Sequence, residues 1–210
     1  MDTHDKDTFL PDVWQWFGHN PTDKDWTMKS YRLLGHPCSS VSDFWTIINS
    51  ARPVIERTMI FVMREGCLPT WDDPACVDGS LVSVLVSYDK AAAIFTDTCV
   101  RALGETLVGD TESDIVGISM SPKRMHCVIK VWTRHQVDLQ TVRQWALPPS
   151  VDKDDVRIEA SRKHISGTHS TVSTASTAST AAAALVVSVF ASSPSSFSPS
   201  SSLSSSLAQA

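Results

Sequence analysis

The stretch at 126–134, His-Cys-Val-Ile-Lys-Val-Trp-Thr-Arg, alternates along its whole length. A β-strand places successive side chains on opposite faces. Cys127, Ile129 and Val131 therefore share one face, which is apolar and made for burial under helices. His126, Val128, Lys130 and Trp132 share the other, where an aromatic beside a cation suits a solvated binding face. Strand-length patterns recur at Val13–Phe17, at 26–35 (WTMKSYRLLG), 58–64, 81–87, 114–120 and 155–161. The segments 114–120 and 126–134 read as a hairpin joined by Ser121-Pro122-Lys123-Arg124.

Three helical patterns interrupt the strands. Ser40 precedes VSDFWTIINSA with Asp43 three residues on, a capping box, and Val41, Phe44, Trp45 and Ile48 share one face at helical spacing. Asp89 is placed to cap a helix running to Gly104, with Ile94, Phe95, Cys99, Ala102 and Leu103 at core spacing. Asp138 caps a short helix that ends before Leu147-Pro148-Pro149. The pattern predicts an α+β fold: a curved, mostly antiparallel sheet with three helices on one face.

Composition says where that domain sits. The 42% apolar content of the 210 residues supports one core. All seven tryptophans and all five cysteines precede Ser166. From Ser166 to Ala210 the chain is mostly Ser, Ala and Thr, with no Asp, Glu, Lys or Arg. Such a segment buries too little apolar surface to offset its ordering entropy and is expected to be disordered. Ser193-Pro194 and Ser198-Pro199 in it are candidate phosphorylation sites. Its apolar run, Ala181 to Ala191, is shorter than the about 20 residues that span a bilayer, so no membrane association is expected. Residues 1–12 are polar and acidic, lack the pattern of a signal sequence, and are expected to form a flexible lead-in to a domain at 13–165. The cysteines Cys38, Cys67, Cys76, Cys99 and Cys127 are odd in number and show no C-x-x-C, which implies reduced core thiols, neither a disulfide framework nor a metal site, and a cytoplasmic or nuclear setting. No cofactor is implied. The net charge of −5 excludes a general polyanion binder, so any nucleic-acid contact must be local.

The local candidates are specific. REGCLPTWDD, residues 64–73, places Trp71 in a polar loop with two carboxylates behind it. Trp26 is another tryptophan in polar surroundings, and Lys123 and Arg124 form a small cationic point. Loop indoles, a carboxylate and nearby cations together describe a site for a flat, positively charged ring with an anionic tail.

DKDWTMKSYRLL, SVSDFWTIIN, GCLPTWDD, ALGE and IKVWT resemble, in order and spacing, segments of the cap-binding eukaryotic translation initiation factor 4E family, over about residues 13–150. The resemblance implies a cupped antiparallel sheet with helices on its convex side and a cap-binding cleft on the concave one. It also implies that Trp26 and Trp71 sandwich the 7-methylguanine of an mRNA 5′ cap. N7 methylation makes the base cationic, so stacking gains a cation–π component. Asp72 matches the acid that accepts hydrogen bonds from the guanine edge, and Trp132 matches the indole that packs against the N7-methyl.

Several positions depart from the family pattern. Asp72 stands where Glu is usual and is one methylene shorter. Lys123 matches a phosphate-binding cation, but Val128 replaces an expected Lys, and an expected Arg falls at Leu81. Lys130, on the same strand face as Val128, is expected to take over part of that role. Met125 holds an often basic position, with Arg124 beside it. Arg162 and Lys163 are candidates for contacts to later nucleotides.

On the convex side, Val41 and Trp45 match residues that receive the Tyr-x-x-x-x-Leu-φ helix of scaffold factor 4G and of 4E-binding proteins, with Val100 and Leu103 extending the groove. The resemblance implies a translation initiation factor without enzymatic activity. The alternative within the same family is a repressor or storage factor that binds the cap without recruiting the scaffold. A Cys/His hydrolase using Cys67 or Cys127 with His126 has no supporting motif.

Overall fold

The computed structural model describes residues 8–55, 57–108 and 115–160. In chain order its principal elements are β1 (Phe9–His19), β2 (Arg32–Leu33), β3 (Cys38–Ser40), α1 (Val41–Ala51), β4 (Met59–Arg64), β5 (Ser80–Val86), α2 (Tyr88–Leu103), β6 (Ile115–Pro122), β7 (Cys127–Thr133), α3 (Leu139–Gln144) and β8 (Arg157–Ala160). The eight strands form one sheet in the order β2-β1-β4-β6-β7-β5-β8, with β3 also paired to β1. Every pairing is antiparallel. This is the expected α+β architecture.

Period-two alternation sorts the strand residues onto two faces. Trp14, Trp16, Ile60, Val62, Val82, Val84, Ile118, Met120, Cys127, Ile129 and Val131 pack with Phe44, Ile48, Ile94, Phe95, Cys99 and Val142 of the three helices. Phe17, Met59, Phe61, Met63, Leu81, Val116 and Trp132 build a second cluster on the other face, joined by Tyr31, Cys67 and Cys76. The face predicted for Cys127, Ile129 and Val131 is therefore the helix-covered one, and Trp132 lies opposite.

The helix starts follow local chemistry. Ser40 Oγ accepts from the Asp43 N–H at 3.1 Å and Asp43 Oδ2 accepts from the Ser40 N–H at 3.0 Å, the reciprocal capping box. Asp43 also accepts from the Ser39 N–H, the main reason its carboxyl titrates below the usual range. Asp138 caps α3 by accepting from the Thr141 N–H at 2.7 Å. At α2 the expectation needs correction: Ser87 holds the N-cap position, and Asp89 sits in the first turn. A hydrogen bond from the Ser87 hydroxyl lowers the Asp89 pKa, so the acid supports the helix start from within the first turn.

Other boundaries move as well. β1 begins at Phe9 rather than Val13. The strand expected over 26–35 is mostly a turn with a 3₁₀ segment at Met28–Ser30, and only Arg32 and Leu33 pair with β1. The Ser30 N–H and hydroxyl both donate to the Thr27 carbonyl, closing the chain on itself where a strand would extend it. The β6–β7 turn lies two residues later than expected, at 123–126, since Pro122 still pairs with Cys127 and the Lys123 N–H donates to His126 O at 2.8 Å. On α1 the buried stripe is Phe44, Ile47, Ile48 and Ala51, which leaves Val41 and Trp45 exposed at its flank. The five cysteines are free and buried, as expected for reduced core thiols. Among the described residues no helix is long and apolar enough to cross a membrane. The expectations for residues 1–7, for Arg162 and Lys163 and for the tail from Ser166 lie outside the described residues.

Gly79 joins the Trp71 loop to β5, and a Cβ there would lie 1.7 Å from the Thr133 carbonyl oxygen. Backbone, not a flexible side chain, blocks the space. Gly79→Ala is expected to destabilise the fold by about 2–3 kcal/mol, by the usual cost of forced overpacking, measured as a shifted denaturant midpoint. Ser40→Ala, which removes only the α1 cap, is expected to cost about 1 kcal/mol in the same experiment.

Candidate functional site

Trp26 stands at the end of a polar loop, Asn20–Thr27, that is ordered by its own side chains. Asn20 Oδ1 accepts from the Thr22 N–H at 3.0 Å, Asp23 Oδ1 from the Asp25 N–H at 2.9 Å, and Asp25 Oδ1 from the Thr27 N–H at 2.8 Å. Successive Asx turns of this kind replace the ladder bonds that a loop lacks. The Thr27 N–H lowers the Asp25 pKa and so keeps its acceptor ionised. Trp26 is thus an exposed aromatic, 37% accessible, on a backbone with few remaining degrees of freedom.

The Trp71 loop is organised by the second of its two adjacent acids. Asp73 is buried, and its carboxylate accepts from the Leu68 N–H at 3.1 Å and the Ala75 N–H at 2.7 Å. The Cys76 thiol donates to the Thr70 carbonyl at 3.5 Å. Asp72 is left exposed beside Trp71. Burial, and after it the charge of Asp72, raises the Tyr31 phenol above its usual range, which sets Asp72 in the electrostatic reach of Tyr31. The two aspartates of GCLPTWDD therefore separate into an anchor and a group that faces solvent.

Trp26 and Trp71 face each other, with ring centroids 5.4 Å apart and planes inclined at 31°. The His19 ring stacks on Trp26 at 4.4 Å and 6°. The contacts continue to Tyr31 at 4.8 Å, Phe61 at 5.4 Å and Trp132 at 6.2 Å. An aromatic track thus runs from the interior of the non-helical face to the indole pair, of which Trp26 is exposed and Trp71 half-buried. A flat ring held between two others needs about 7 Å, two contact distances of roughly 3.5 Å. The pair must therefore open by about 1.5 Å to admit one.

Trp132 is deeper than expected. It is 1% exposed, and its indole N–H donates to Ser119 Oγ at 2.9 Å. In this state it is the inner wall of the site, not an open contact face. Leu81, at the position of an expected Arg, is fully buried in the same cluster, so the floor there is apolar. Lys123, Arg124 and Met125 are exposed on the β6–β7 turn, which Tyr88 braces by donating to the Lys123 carbonyl. Lys130 projects on the Trp132 face between Ser83 and Ser119 of the neighbouring strands. Burial lowers its pKa, opposed by Glu159 at 3.8 Å. Lys130 is therefore engaged with an acid that an anionic ligand must outcompete.

On the helix side, Val41, Trp45 and Val100 are exposed large apolar residues. Trp45 is 43% accessible, with its ring edge-on to Phe44 at 5.1 Å. Leu103 does not join them: it is 2% exposed and belongs to the core under the helices, because its position on α2 faces the sheet.

Among the described residues no cluster of three His, Cys, Asp or Glu is placed to hold a metal ion. Burial, reinforced by Asp73, pushes the Cys76 thiol up to about 12 and raises Cys67 as well. Cys127 is fully buried among helix-side core residues. None of these is placed as an activated nucleophile, since reactivity needs an accessible thiolate. Sequence reasoning missed His19, Tyr31 and Asp73. Only Asp73 had a local signal, as the second acid of the pair two residues before Ala75, the spacing of an Asx turn.

Several known proteins resemble the chain. Eukaryotic translation initiation factor NCBP of Triticum aestivum is 29% identical over 109 residues, covering 50% of this chain and 45% of that protein. Isoform 4E-2 of Triticum aestivum is 24% identical over 104 residues, covering 48% and 49%. The chain spans about half the length of the curated relatives it matches. Among solved structures, Caenorhabditis elegans eIF4E-3 in complex with the 4E-binding protein Mextli and a cap analog superposes with a TM-score of 0.61 at 18% identity, covering 76% of this chain and 96% of that one. Ascaris suum eIF4E-3 with m7G cap superposes at 0.58 and 17% identity, covering 73% and 91%. These likenesses establish the shared fold. The sequence model of the family described as Eukaryotic initiation factor 4E matches residues 10–148, well over half of the 210 residues, and the chain belongs to that family.

Proposed function

We propose that this chain binds the 7-methylguanosine cap of mRNA on the non-helical face of its sheet and acts in translation initiation in the cytoplasm. The observation that carries the reading is the Trp26–Trp71 pair, two indoles facing each other at 5.4 Å with the exposed carboxylate of Asp72 next to one of them. The methylated base enters between the indoles as they separate. Each stacked face contributes on the order of 1–3 kcal/mol, against about 0.5–1.5 kcal/mol for the direct aromatic contact that is lost. Insertion is therefore favourable. The positive charge of the methylated ring adds a cation–π component on both faces. Asp72 accepts from the guanine N1–H and amino group, and its charge complements the cationic ring. Lys123, Arg124 and Lys130 receive the phosphates, with Lys130 exchanging Glu159 for the anionic tail.

The exposed Val41, Trp45 and Val100 form the docking surface for an amphipathic helix of a scaffold or 4E-binding protein. Burying an exposed tryptophan in an interface is worth several times a peripheral contact, as is usual for such anchors. Leu103 supports this surface from within the core.

Binding to 7-methylguanosine triphosphate and to GTP, followed by tryptophan quenching, tests the cap reading. The methylated nucleotide is expected to bind at least tenfold more tightly, and equal affinities would refute it. Trp26→Ala and Trp71→Ala should each cost about 1–3 kcal/mol, and Asp72→Ala a similar amount through unpaired guanine donors. Lys123→Ala and Lys130→Ala should weaken the triphosphate more than the nucleoside and flatten the dependence of affinity on salt.

Trp45→Ala is expected to reduce binding of a Tyr-x-x-x-x-Leu-φ peptide by tenfold or more with cap affinity unchanged, measured on one preparation. Undiminished peptide binding by the folded variant would remove the helix-side surface from the assignment.

A further inference from the structure

Trp26 makes ring contacts with Trp71 and with His19. His19 is parallel to it within 6° at 4.4 Å and so covers one of its two faces. His19 is the last residue of β1, paired with Met59 of β4, and is 1% exposed. Its Nε2–H donates to the Asp25 carbonyl at 2.8 Å, tying the strand end to the residue before Trp26. A carbonyl partner requires the proton on Nε2, so this bond sets the tautomer of the ring. On its other side Tyr31 packs at 4.8 Å, inclined at 52°. Nδ1 is buried without a hydrogen-bond partner among the described residues.

That last feature is informative. A buried unpaired ring nitrogen costs free energy that a phenylalanine at the same place would not incur. What imidazole adds, and phenylalanine cannot, is the bond to Asp25. One planar side chain thereby holds both the ring and the backbone of an otherwise exposed loop. Stacking sets the plane of the Trp26 indole, and the Asp25 bond sets its height above the sheet. The face that His19 covers is closed to any ligand, so a base can stack only on the other face.

We infer that His19 is the positioning residue of the clamp: it pre-orients Trp26 and restricts it to one usable face. This inference rests on the cap-binding reading and deepens it. Fixing the indole in advance removes ordering entropy that binding would otherwise have to overcome.

The full-length chain carries the test, with His19→Ala, which removes ring and donor, and His19→Phe, which keeps the ring. The free protein is read by proton NMR, where the His19 ring protons should be shifted upfield by the indole current and should lose that shift in Trp26→Leu. Affinity for 7-methylguanosine triphosphate should fall about tenfold in His19→Ala and recover to within about threefold of the parent in His19→Phe. The inference is overturned if folded His19→Ala binds like the parent, if His19→Phe binds no better than His19→Ala, or if Trp26→Leu leaves the His19 protons unmoved. Should His19→Ala fail to fold, His19→Phe and the ring-current shift still decide. A parent chain that does not prefer the methylated nucleotide sinks the cap reading and this inference with it. A parent that prefers it while the histidine variants bind normally sinks the inference alone.

Discussion

The sheet has two apolar faces to bury, and helices cover only one. On the covered side, Phe44, Phe95, Cys99 and Val142 of the helices close over Trp14, Trp16, Ile118 and Ile129. Strand alternation then puts Phe17, Phe61, Leu81 and Trp132 on the far side, which none of the three α-helices among the described residues covers. Leaving them in water would forfeit about 25 cal/mol for each Å² of apolar surface. They are closed instead by Tyr31 and by Cys67, Cys76 and Trp71 of the loops between strands. A face closed by loop aromatics ends in partly exposed rings at its rim, and in this chain that rim is the candidate binding site.

The loops depend in turn on a charge buried beside the sheet. Arg64, the last residue of β4, pairs with Asp12 of β1 and with Glu105 at 3.4 Å, donates from Nε to the Ile115 carbonyl at 3.1 Å, and lies 4.7 Å from the centre of the Trp14 ring. A buried guanidinium is tolerated only with such partners, and removing one is costly because the charge stays behind. The cluster binds β1, β4, the segment after α2 and the start of β6 into one unit. It also sets where the Trp71 loop departs, since the Cys67 N–H donates back to the Arg64 carbonyl at 2.9 Å.

The acids around the indoles divide their work. Asp25 and Asp73 spend their oxygens on backbone N–H groups and hold the two loops, whereas Asp72 keeps its carboxylate toward solvent. The two indoles lie 5.4 Å apart, and their contact shields apolar surface from water. Lys130 is similarly provisioned with Glu159. Each half of the candidate site is thus held by an internal partner.

Much of the architecture was legible in the chain. Alternation in 126–134 assigned the faces of β7, and Ser40 with Asp43 located the start of α1, because strand period and capping are local properties of a few adjacent residues. The resemblance to the 4E family singled out Trp26 and Trp71 as partners. Helical spacing placed Leu103 in the core and the family resemblance placed it in the groove, and the structure agrees with the spacing. Trp132 lies deeper than expected because strand spacing gives a direction, not a depth. The resemblance named Asp72 as the acceptor, but the anchoring role of Asp73 emerged only when folding of the loop turned that acid inward. His19 carried no local mark at all, since its contacts are with a ring seven positions away and a tyrosine twelve away. The sequence by itself determined most of the elements, the buried face of β7 and the family resemblance. Only the tertiary structure decided which polar and aromatic groups meet, because that depends on how separate loops fold over the second face of the sheet.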